Sequence, residues 1–160
     1  ESAGVDRPRG GALVSADEPI GYIDGGAVDG VFRGAEALEQ PTLFYGSVDE
    51  FVRLKLRFQY RRSAGKRSGE RHWVSNWWDY PEAVSRLEAI WRAWESLRHD
   101  PALGMSVWWR DHCDYHMRAI LDPDGPFAGA GDDLATVAPG EPLPVQDAPE
   151  GWFPDMRLKT

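Results

Sequence analysis

The sequence predicts a mainly α protein: a compact three-helix, Trp-rich domain over residues 47–128, flanked by loop-rich acidic arms at 1–46 and 129–160. Three observations carry this reading. Seven of the eight tryptophans fall between Trp73 and Trp109, a density that supplies much of a small core. Apolar residues recur at helical spacing within that stretch. The flanks are rich in Gly, Ala and Pro, which favour irregular or extended chain.

The first helix is predicted over about 47–62. Ser47 can cap it, with Glu50 three residues on as in a capping box. Asp49 and Glu50 sit at the positive end of the dipole, and Arg61 and Arg62 at the negative end. The same stretch, "FVRLKLRFQYRR", alternates apolar and basic residues, so residues 51–61 also admit a strand with one cationic face. On the helical reading Lys55 falls inside the apolar arc of Phe51, Leu54 and Phe58, where it would have to snorkel.

The second helix, about 80–98, is the clearest. Pro81 suits its first position, and Glu82 follows. Ala83, Leu87, Ile90, Trp91, Trp94 and Leu97 form one stripe, with Ser85, Glu88, Arg92, Glu95 and His99 on the other side. Pro101 and Gly104 separate it from a third helix, about 105–121. There Met105, Trp108, Trp109, His112, His116, Ala119 and Ile120 share a face, and Arg110, Asp114 and Arg118 make outer i,i+4 pairs. "DPDGP" then ends it. In the C-terminal arm, "EGWFPDM" reads as an apolar anchor, with Trp152 and Phe153 as docking residues.

The residues from "RHWVSNWWDYPEA" through "RLEAIWRAWE" and "GMSVWWRDH" to "DPDGPF" resemble an uncharacterised actinobacterial family, domain of unknown function 4913. The likeness covers residues 45–128. It implies a small, mostly helical domain that often resides on actinobacterial plasmids, integrative elements or phages. It implies no chemistry.

Net charge is −8, unevenly spread: residues 1–46 carry −5, residues 47–121 carry +3 and residues 122–160 carry −6. A basic middle between acidic arms leaves a nucleic-acid partner open, because the local field decides. Its cations concentrate at Arg53, Arg57, Arg61, Arg62, Lys66, Arg67 and Arg71, with Glu70 the one acid among residues 51–71. Such a ladder can contact phosphates without reading sequence, or can pair with the chain's own acids.

Other chemistry has weaker support. His112 and His116 share i,i+4 spacing, as in zinc-binding helices, but no third ligand converges with them. No metal and no cofactor are expected, these two residues being the only weak candidates. Asp111, Asp114, Glu82 and Glu95 read as surface ion pairs rather than acid–base groups, so catalysis is not expected. The lone Cys113 excludes an internal disulfide and fits a cytoplasmic setting. No apolar run approaches membrane length. The expectation is a non-enzymatic accessory protein of a mobile element or phage that binds DNA or a DNA-handling partner through the basic segment. The alternative is an assembly module whose arms dock on other chains. Oligomeric state is left open.

Overall fold

The structure, a computed structural model, describes residues 42–158. The reading of an irregular N-terminal arm falls, for residues 1–41, outside them. Three helices form the frame, as the sequence predicts: α1 at residues 48–59, α2 at Pro81–Leu97 and α3 at residues 104–120. The helical reading of 51–61 therefore prevails over the strand. Ser47 caps α1 by accepting the Glu50 N–H on Oγ at 3.1 Å. Glu50 reaches back one residue further than a standard capping box, to the Gly46 N–H at 2.6 Å.

The alternation in α1 resolves into two stripes. Residues two apart lie on opposite sides of a helix, and the turn Val52–Leu56 is π-helical, so Phe51 and Leu56, five apart, are both buried. Val52, Leu56 and Tyr60 face the core, while Leu54 and Phe58 are 56% and 45% exposed. Lys55 lies between, half-buried, with its ammonium 4.7 Å from the centre of the Trp94 ring. Burial lowers its pKa. The helix stops short of the predicted end: Tyr60 leaves helical geometry at φ −101°, ψ 68°, so Arg61 and Arg62 lie beyond it.

α2 begins at Pro81, whose missing N–H costs nothing in the first turn. It buries Ala83, Leu87, Ile90, Trp91 and Trp94 and packs on both α1 and α3. Glu95, read as an outer residue, is 5% exposed. Its carboxylate accepts the N–H groups of Phe44 (2.9 Å) and Tyr45 (2.8 Å), the Trp91 Nε1–H (3.3 Å) and Arg98 Nε (3.0 Å). Segment 42–46 lies across this side of α2, which puts the carboxylate inside the fold.

The face assigned to α3 also needs correction. Gly104, Trp108, Cys113, Met117 and Ile120 are buried, whereas Met105 is exposed and His112 and His116 are half-buried. The cause is a π-helical turn at Trp108–Cys113. In an α-helix a residue five positions on points well away from the first; in a π turn, with its i→i+5 bonds, it returns to nearly the same side. The inward face therefore passes from Trp108 to Cys113 rather than to His112. Gly104 opens the helix because a Cβ there would sit on the carbonyl oxygen of Leu97.

The chain after α3 is extended, but it is docked along much of its course. Phe127 sets its ring edge-on against Trp73 and Tyr80. Leu134, Val137 and Leu143 are buried. Two isolated antiparallel pairings, Ala64 with Val137 and Val74 with Leu134, hold it beside the α1–α2 connection. Backbone bonds join the strap to the domain, as from the Ala135, Leu143 and Gln146 N–H groups to the carbonyls of Trp73, Arg57 and Ser75, and side-chain donors take further strap carbonyls. Trp73 Nε1 donates to Pro144 O (2.7 Å), Arg61 Nη1 to Gly140 O (3.2 Å) and Lys66 Nζ to Asp132 O (3.0 Å). The strap ends beside α1, where Arg157 meets Glu50, Asp155 and the Phe44 carbonyl.

Candidate nucleic-acid interface

The seven predicted cations separate into two groups. Arg53 and Arg57 lie one turn apart on α1 and Arg61 just beyond its end, and each is engaged within the fold. Arg53 Nε pairs with Asp49 one turn earlier at 2.8 Å. Arg57 is half-buried over the Phe58 ring, and its carbonyl accepts the Leu143 N–H of the strap. Arg61 binds the Phe58 carbonyl (2.9 Å) as well as Gly140. Of these three side chains that of Arg61 reaches the strap, while Arg57 meets it through its backbone carbonyl.

Arg62, Lys66, Arg67 and Arg71 form the second group, on the connection from α1 to α2, and all four are exposed. The loop is closed by the Gly65 N–H on the Arg71 carbonyl (2.9 Å). Arg71 folds back to donate to the carbonyl and Oγ of Ser63, both at 2.9 Å. Glu70 is turned inward: it accepts the Arg67 N–H (2.8 Å) and covers Gly65, where a Cβ would strike its carboxylate. Among the described residues, no carboxylate lies within 4.0 Å of these four cationic groups. Lys66, Arg67 and Arg71, together with Glu70, border a depression of about 680 Å³ whose opposite wall is the strap at Thr136, Val137 and Pro139; Arg62 is not part of its lining.

The arrangement offers charge without an open ring to stack on. Tyr60 is buried, stacked on Trp109 and covered by the Arg62 guanidinium at 4.2 Å. Such a surface can contact phosphates, and it presents no base-reading platform.

The remaining sequence-predicted residues lie elsewhere. Phe153 packs on Trp77 and Trp152 edges onto Trp78, so both lie on this chain's own domain, with Trp152 still 51% exposed. His116 Nδ1 faces Arg86 Nη1 at 3.4 Å. Burial, then Arg86 and His112, lower its pKa, and a guanidinium there opposes a bound cation. Among the described residues no group of three His, Cys, Asp or Glu side chains is placed to share a metal. Arg110 pairs with neighbouring Asp111 at 2.6 Å rather than with Asp114, and Arg118 does not reach Asp114 within 4.0 Å.

Cys113 is buried, and desolvation pushes its thiol up to about 12, with Asp114 adding to the rise. A thiol so protonated is a poor nucleophile. It should resist alkylation in the native protein at pH 8 and react on unfolding. The folded state holds this proton more tightly than the unfolded chain. Its contribution is therefore complete below the unfolded thiol's pKa of about 8.5 and is lost as pH rises toward about 12, by roughly 1.4 kcal/mol per pH unit. Denaturant titrations between pH 9 and 11 check this: Cys113→Ala should flatten that slope.

Fold and site together define a small helical domain strapped by its own C-terminal segment, with a cationic loop at one edge. The chain belongs to the family described as Domain of unknown function (DUF4913), whose model matches residues 45–149. That match runs past the helices and takes in most of the strap. No curated protein and no solved structure matches the chain. Among the described residues no helix is long and apolar enough to cross a membrane.

Proposed function

We propose that this protein acts by binding DNA, through sequence-independent contacts of Arg62, Lys66, Arg67 and Arg71 with the phosphate backbone. It serves as a non-enzymatic, cytoplasmic accessory factor of an actinobacterial mobile element or phage, the setting that the family resemblance implies. The observation that supports the contact is the loop itself: four exposed cations with no carboxylate within 4.0 Å among the described residues, three of them, Lys66, Arg67 and Arg71, around one depression that Glu70 also lines. The chain's overall −8 charge is no obstacle, because counterion release depends on the local contact. A gel shift with the full chain and a duplex of arbitrary sequence tests this. Complexes should form at low salt, weaken steeply between about 50 and 200 mM salt, and differ little between sequences. Absence of any shift at low salt, with folded protein, sinks the reading.

One observation favours a second reading, an assembly module. Leu54 and Phe58 lie exposed one turn apart on α1. If they seat another chain, light scattering will show association that Leu54→Lys abolishes while DNA affinity is unchanged.

A further inference from the structure

We propose that the phosphate contact continues beyond the loop onto α3, with Arg118 as a binding residue. This rests on the DNA reading above and extends it to a residue from a different part of the fold. A second depression, about 400 Å³, lies between the end of α1 and the end of α3. Arg62, Arg71 and Arg118 line it, together with Asp114 and Asp122. Arg71 borders both depressions, so the two adjoin along its side chain. The surface therefore runs from Lys66 and Arg67, across Arg71 and Arg62, to the last turn of α3.

Arg118 looks in sequence like half of an i,i+4 ion pair with Asp114. In the structure it is exposed, and among the described residues no carboxylate comes within 4.0 Å of its guanidinium. Three guanidiniums against two carboxylates leave this second depression net cationic. Its aromatic element, Tyr60, is sealed between Trp109 and Arg62 and offers no face to a base. The ligand chemistry this favours is again a phosphate. Cations from the loop and from α3 together suit successive phosphates of one backbone better than a single anion.

The test is fluorescence anisotropy of the full-length protein with a labelled duplex of about 20 base pairs, titrated at salt from about 50 to 200 mM. Removing one phosphate-binding cation should reduce the slope of log K against log salt by about 0.9. Arg118→Gln, which keeps much of the side chain's length, should show a reduction of that size. Arg67→Gln should do the same. Arg110→Gln, on α3 but paired with Asp111, should leave the slope unchanged. A wild-type slope in Arg118→Gln beside a reduced slope in Arg67→Gln overturns the extension and leaves the loop reading standing. Absence of binding by the unaltered protein overturns both.

Discussion

Glu95→Ala is expected to cost about 3–5 kcal/mol of stability, as breaking a buried ionic group does. The carboxylate is nearly sealed from water and serves four donors at once. Truncation leaves the N–H groups of Phe44 and Tyr45 with no acceptor, and Arg98 loses its ion pair. Segment 42–46 is thereby loosened on α2, although Arg98 still reaches the Thr42 carbonyl at 2.7 Å and Phe44 and Tyr45 still pack on Trp94. Glu95→Gln retains one acceptor oxygen and should cost less, about 1–3 kcal/mol. Glu82→Ala removes an exposed pair with Arg86 and should cost under about 1 kcal/mol. Urea titrations of the three variants check the order. Equal, small losses would show that Glu95 is not the anchor of this segment.

Trp108→Ala should be of similar size, about 3–5 kcal/mol, from lost burial and the cavity left behind. Its ring is fully buried where the three helices meet. It stands edge-on to Phe51 of α1 and donates its Nε1–H to the Ile90 carbonyl of α2 at 3.0 Å. Neighbouring Trp109 is half-buried at the rim, stacked on Tyr60, and Trp109→Ala should cost about 1–2 kcal/mol. Thermal unfolding of both variants tells them apart. A larger loss at Trp109 would mean that the π turn does not set the inward face of α3.

Those two residues show what the sequence can and cannot reveal. The helices are legible in it, because stripes such as Ala83–Leu87–Ile90–Trp94 and the cap at Ser47 are local signals. An α-helical period misassigns the inward face of α3, because the π turn at Trp108–Cys113 shifts the register. No local pattern places Glu95 inside the fold; its burial comes from a segment some 50 residues away in sequence. The strap resembles a free tail because Pro and Gly dominate it, while its anchors, Leu134, Val137 and Leu143, are widely spaced single residues. For the candidate site, the cations are legible as a group but their division is not. Arg61 and Lys66 are both exposed and both donate to the strap, so which cations it engages depends on where the strap runs. Arg118 is hidden by an ion pair that its spacing predicts and the structure lacks.

That division also determines where the binding surface should be probed. A substitution at Arg61 removes a donor to the strap and confuses binding with folding. The side chains of Arg62, Lys66 and Arg67 make one hydrogen bond to a neighbouring carbonyl, one to Asp132 and none, respectively, and Arg62 also covers the Tyr60 ring, so the fold of their variants is checked directly. The most direct test is the duplex affinity of the full-length triple variant Arg62→Gln, Lys66→Gln, Arg67→Gln, compared with the unaltered protein at about 50 mM salt, with circular dichroism confirming the fold. Removal of three phosphate-binding cations should weaken binding by at least about tenfold and lower the salt slope by about 2.7. Unchanged affinity and slope in a folded triple variant would contradict the assignment of the cationic loop as the DNA-binding surface.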